Sequence, residues 1–180
     1  MEDIEYLKKQ AKNVRKGIIE AVYNGKSGHP GGSLSIADIM TVLYFKEMNI
    51  NPENPKDENR DRLVLSKGHC APALYSTLAN RGFFDIKELT TLRHIDSNLQ
   101  GHPDMNKVPG VDMTTGSLGQ GLSSANGMAI AGKMDNKNYN FVPHLEQNAW
   151  SFGISLPQQG QLTVSSGSSG CEKNDGCVLT

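Results

Sequence analysis

The sequence predicts an α/β fold in which a parallel sheet is flanked by helices. Three observations carry this. Ile4, Leu7, Ala11, Val14, Ile18 and Ala21 or Val22 recur at steps of 3 and 4, which is the stripe of an amphipathic helix. Leu63-Val64-Leu65 is a short, wholly apolar run of the length of a buried strand. That run is followed at once by a Gly-His turn and a second helical pattern, the strand–turn–helix layout of α/β proteins. In such folds ligands sit beyond the carboxyl ends of the strands, where helix N-termini face anions.

Each element can be argued in order. Lysines and Arg15 fill the outer face of the first helix, and Asn24-Gly25 reads as its stop. A second helix is predicted from Ser35, with Asp38 as a capping-box partner and Ile36, Ile39, Met40 and Leu43 as its stripe. Residues 49–61 are polar, contain Pro52 and Pro55, and read as a loop. After the strand, Ser66-Lys67-Gly68-His69 turns the chain. The helix that follows has Pro72 near its start, where a missing N–H costs little, and ends at Gly82. Asp85 and Glu88 bracket a short helix carrying Ile86, Leu89 and Leu92. Thr114 to Met134 reads, after a turn, as a helical stretch rich in Gly, Ala and Ser, suited to close packing.

Composition bounds the function. The chain has 180 residues, 37% hydrophobic, with 18 Lys+Arg against 19 Asp+Glu. That balance argues against a nucleic-acid binder. No apolar run approaches the ~18 residues of a membrane span. Met1-Glu2-Asp3-Ile4-Glu5 is acidic and unlike a secretory signal. Cys70, Cys171 and Cys177 are too unevenly placed for a disulfide framework. A soluble, cytoplasmic protein is expected. Character changes near residue 138: residues 151–180 hold three charges and the run Ser165-Ser166-Gly167-Ser168-Ser169-Gly170. The chain is therefore divided into 1–137 and a divergent Ser/Gly-rich tail, 138–180.

Three of the 5 histidines follow glycine: His29 and His102 in Gly-His-Pro, His69 in Gly-His-Cys. Histidine can donate to a phosphate or hydroxyl, or move a proton near neutral pH. Taken singly, each is more readily a loop histidine satisfying backbone groups; three in one chain, all after glycine, bring the two readings level. Thr114-Thr115-Gly116-Ser117-Leu118-Gly119-Gln120-Gly121 opens a helix and could cradle a phosphate, or pack as a tight turn. It is not a dinucleotide fingerprint, since Ser124 stands where glycine is required. Gly25-Lys26-Ser27 is not a P-loop, since Glu20 replaces its first glycine. Cys70 reads as a small buried side chain. Cys171 and Cys177 make no metal-ligand spacing.

Four passages together resemble the N-terminal, cofactor-binding part of transketolases, in particular the split form in which that part is a separate subunit. They are Ser27-Gly28-His29-Pro30-Gly31-Gly32-Ser33-Leu34-Ser35, Leu65-Ser66-Lys67-Gly68-His69-Cys70-Ala71, Gly101-His102-Pro103, and Gly110-Val111-Asp112-Met113 running into the Thr114–Gly121 segment. The likeness spans about Ile4 to Lys137. It implies an incomplete thiamine diphosphate-binding fold and ketol transfer between sugar phosphates, as in the pentose phosphate pathway. The cofactors implied are thiamine diphosphate and Mg²⁺. By the same resemblance His29, His69 and His102 are catalytic, while His69, Gly116, Ser117 and Leu118 bind the cofactor. A C-terminal subunit or section would supply the activating glutamate, in a homodimer or heterotetramer, so the chain alone is expected to be inactive. A related thiamine diphosphate-dependent synthase, and a non-catalytic remnant that only binds a partner subunit, are the alternatives. The family's Gly-Asp-Gly and later Asn, which hold its metal, find no counterpart: Asn140-Phe141-Val142-Pro143-His144 stands there, and Asn174-Asp175-Gly176 comes too late. No metal ligand carries over, and residues from about 140 onward read as replaced or out of frame. Losing a central strand there should strip the helices at 3–24 and 118–134 of buried surface.

Overall fold

The spacing of Ala11, Val14, Ile18 and Ala21 produces a helix, α1 (Glu2–Gly25), in the computed structural model, which describes residues 2–135, 137 and 141–144. All four side chains are buried, while Ile4 at the start of the stripe is exposed. They pack on α4 (Ala71–Arg81) and on a 3₁₀ segment, Ile86–Thr91. A small residue lets the two helices close: a Cβ on Gly17 would lie 2.3 Å from Ser76 Oγ and 2.9 Å from Leu89 Cδ1. Ser76 Oγ donates to Val14 O at 2.7 Å, so the crossing is also hydrogen-bonded. α1 thus finds its buried surface on helical neighbours rather than on further strands. The helix stops at Gly25, as expected, but the left-handed position falls one residue later. Gly25 is still helical, pressed against Leu92 O, and Lys26 takes the positive φ of 47°.

The predicted helix from Ser35 is two short ones. α2 spans Pro30–Leu34 and α3 spans Ala37–Val42, continued by a π-helical turn, Leu43–Glu47. Ser35 is not an N-cap. It closes α2, and its hydroxyl donates to Gly32 O at 2.8 Å. Asp38 does not complete a capping box either, because Arg15 of α1 binds it at 2.5 Å. Ile36, Met40 and Leu43 are buried as the stripe requires, but Ile39 is exposed.

The apolar run forms strand β1 (Arg62–Leu65), and the expected loop before it is closed by Asp61, whose N–H donates to Asn49 O and whose carboxylate accepts from Asn49 N. A single 3₁₀ turn, Gly68–Cys70, leads into α4, which carries Pro72 in its first turn and ends at Gly82 with φ 97°. That left-handed position suits glycine, and its N–H bonds Leu78 O and Ala79 O. Asp85 caps the 3₁₀ segment by accepting from Lys87 N, and Leu89 and Leu92 are buried while Ile86 is exposed. The long connection after it is braced to β1 by a buried ion pair. Asp112 accepts from both Arg60 NH groups and from Leu63 N at 2.8 Å.

The predicted helix near 114–134 begins later: residues 114–119 are loop, and α5 spans Gln120–Met134. α5 buries only Gly121, Ala125 and Gly132, and leaves Ile130 and Met134 62% and 77% exposed. Beyond it, Phe141–His144 forms strand β2, parallel to β1 in the register Arg62↔Phe141 to Leu65↔His144. The described sheet is thus a parallel pair with helices packed around it. Apart from β2, the Ser/Gly-rich tail lies outside the described residues, as do Trp150, Cys171, Cys177 and Asn174-Asp175-Gly176.

Candidate active site

The site grows from the carboxyl end of β1. There the Gly68-His69 turn meets the Thr115-Gly116 loop almost backbone to backbone: a Cβ on Gly68 would lie 2.6 Å from the Thr115 carbonyl. Thr115 Oγ1 donates to Leu65 O at 2.7 Å and fixes the loop to the strand end. A Cβ on Gly121 would lie 2.6 Å from Ser66 Cα, so α5 also starts against this turn. The two glycine-rich passages are therefore one packed unit, with Gly68 and Gly121 serving close approach.

Three imidazoles gather on that unit. The rings of His29 and His69 meet edge to face, with centroids 5.0 Å apart and planes at 66°. Gly116 lies against the third ring: a Cβ there would be 3.5 Å from His102 Cδ2. Burial first, and then His29, Lys67 and His102, hold the His69 ring below its usual pKa of 6.5. His69 is half-buried, while His29 and His102 are exposed. Ser117 and Leu118, expected beside Gly116, are exposed on the same loop.

The glycines preceding these histidines act differently from one another. Gly28 takes a positive φ of 147°, Gly68 permits the backbone contact, and Gly101 packs on the Arg93 guanidinium. Cys70 is buried, its sulfur against Gly32, as expected of a packing residue. Two surface hollows, of ≈ 480 Å³ along α1 and ≈ 730 Å³ beside Ile95, are lined by none of the three. With His29 and His102 exposed, the imidazoles present an open face.

Several supporting residues escaped the sequence reading. The Tyr75 hydroxyl lies 2.9 Å from Gln100 O and 3.0 Å from His102 O and anchors the His102 turn. The Arg60–Asp112 pair anchors the passage leading to Thr115. Lys67 is buried, and its Nζ donates to Gly32 O and Ser35 Oγ. Composition and spacing carry no signal for these, because each depends on a partner far away in the chain. Among the described residues no group of three or more His, Cys, Asp or Glu could hold a metal ion.

The family model described as "Transketolase, thiamine diphosphate binding domain" matches residues 7–152. The chain belongs to that transketolase family. Curated relatives include an apulose-4-phosphate transketolase subunit of Phocaeicola vulgatus, 47% identical over 136 residues, covering 76% of this chain and 48% of the relative. Another is the 6-deoxy-6-sulfo-D-fructose transketolase subunit SqwG of a Clostridium species, 52% identical over 129 residues, covering 72% and 47%. Among solved structures, the transketolases of Leishmania mexicana and Campylobacter jejuni each superpose with a TM-score of 0.74, at 31% and 34% identity. They cover 82% and 84% of this chain, and 24% and 25% of theirs. The chain spans about half the length of the curated transketolase subunits it matches. Its α/β architecture is the transketolase cofactor-domain fold.

Proposed function

We propose that this domain is the cofactor-binding half of a transketolase that moves a two-carbon ketol unit between sugar phosphates, using thiamine diphosphate and Mg²⁺. The observation that carries the reading is the convergence of His29 and His102 on His69, beside the Gly116 loop. A neutral imidazole can donate to an oxyanion or accept a proton. His29 and His102 would face the sugar hydroxyls, where a proton must leave as the carbon–carbon bond breaks. His69 would contact the diphosphate or the reacting carbon, and Gly116, Ser117 and Leu118 would line the cofactor. These residues fit the group: polar donors and an exposed apolar side chain share one open loop. Thiamine diphosphate, when bound, supplies the electron sink, and the protein supplies orientation.

The metal fits less well. Mg²⁺ takes oxygen ligands and phosphates, and the described residues gather no carboxylate cluster for it. The open imidazole face suits a crevice closed by a second chain. The relatives' names, which call them subunits, support a C-terminal subunit or section as partner, in a homodimer or heterotetramer. Those names also point to sugars carrying a terminal phosphate or sulfonate. The placement is cytoplasmic. No described helix is long and apolar enough to cross a membrane.

A ketol-transfer assay on a mixture of the chain with a candidate C-terminal subunit tests this. Activity should appear only in the mixture, and His69→Ala should abolish it while assembly persists. Unchanged turnover in His69→Ala removes that ring from the site. A mixture that assembles, stays inactive and binds no thiamine diphosphate identifies a remnant instead.

A further inference from the structure

We propose that Lys67 is a positioning residue whose buried ammonium ties the Gly32–Ser35 turn to the Gly68–His69 turn and thereby sets the His29–His69 ring contact. Nζ donates to Gly32 O at 2.9 Å and to Ser35 Oγ at 3.2 Å. Ser35 Oγ in turn donates to Gly32 O at 2.8 Å, closing a three-membered network. His29 lies three positions before Gly32, and His69 lies two after Lys67. The two histidines therefore sit on the two arms that this network joins. Gly32 and Cys70 complete the seam, since a Cβ on Gly32 would lie 2.6 Å from Cys70 Sγ.

The His29 arm needs such a tie. It begins with Gly28 at φ 147°, passes into the five-residue helix α2, and has no side-chain N-cap. A single glycine-rich turn of helix is not stable by itself. Tertiary contact must orient it, and a buried ammonium is a demanding contact, because it is costly to bury unless hydrogen-bonded. Moving either acceptor away would therefore be penalised more than breaking a neutral bond. The groups acting electrostatically on His69 are His29, Lys67 and His102. Lys67 brings a fixed positive charge to that cluster as well as a geometry, and the two contributions can be separated. The consequence for cofactor binding rests on the function proposed above; the ring contact does not.

The test uses the full chain with isotope-labelled histidine. Lys67→Met keeps length but loses both charge and donors, while Lys67→Gln keeps a donor and loses the charge. Lys67→Met should abolish the His29–His69 ring-to-ring NMR contact, raise the His69 titration midpoint, and weaken thiamine diphosphate binding by about tenfold or more. Lys67→Gln should restore the ring contact and much of the affinity, yet still raise the midpoint. If Lys67→Met does not fold, the ring contact in Lys67→Gln decides alone, and its loss overturns the proposal. A Lys67→Met chain that folds, keeps the ring contact and binds within about twofold of wild type also overturns it. If wild type binds no cofactor but the ring contact follows Lys67 as described, the functional reading fails and the positioning role stands.

Discussion

His69 is held neutral by its surroundings: partial burial disfavours the imidazolium, and His29, Lys67 and His102 add repulsion. A neutral ring can accept a proton at pH 7, as the proposed chemistry requires. Its NMR titration midpoint should fall below 6.5, the ordinary value. Below that ordinary value the unfolded chain takes up this proton more readily than the folded one. His69's contribution to stability is therefore present above pH 6.5 and lost as pH falls from there through the folded midpoint. Replacing His69 by Gln should flatten that part of the stability–pH curve; an unchanged slope would assign it to other groups. These shifts were not legible in the sequence. Three Gly-His pairs pointed to rings that the fold does bring together, but their mutual distances depend on Thr115, Tyr75 and Lys67, whose partners lie 25 to 50 positions away.

Elements meet here through small residues and one buried ion pair. At Gly17, alanine would gain about 1 kcal/mol of helix propensity. It would also force a methyl into Ser76 and Leu89, an overpacking worth about 1–3 kcal/mol. Overpacking should win, because Ser76 Oγ is held by Val14 O. Gly17→Ala should lower the denaturation midpoint, and a rise would mean that α1 and α4 separate easily. Asp112→Ala leaves Arg60 buried and uncompensated, which should cost about 3–5 kcal/mol in chemical denaturation. A loss under ~1 kcal/mol would mean that Arg60 finds water instead. Helix periodicity made α1, and the early proline and final glycine made α4, readable in advance. The Ser35 reading failed for one tertiary and one local reason: Arg15 of α1 took Asp38, and the Gly32 carbonyl, three positions back, took the Ser35 hydroxyl. β2 fell past the composition break and has Pro143 in the middle of the strand, a poor strand signal.

As a whole molecule, the chain carries apolar surface that its own described elements do not cover. Ile19 and Tyr23 on α1, and Ile130 and Met134 on α5, are exposed. At about 25 cal/mol per Å², a few hundred Å² of such surface forgoes several kcal/mol, on the scale of a domain's net stability. The isolated 180-residue chain should therefore melt below ~60 °C, and a cooperative transition well above that would show that the exposed faces cost little. A partner covering these faces should raise the midpoint in a concentration-dependent way. The function of the whole molecule turns on whether three separate stretches of chain serve one ligand. The direct measurement is a thiamine diphosphate titration, with Mg²⁺ present, followed on the labelled histidine rings. The signals of His29, His69 and His102 should move together along one binding curve while His94 stays put. Independent responses, or none up to ~1 mM cofactor, would contradict it.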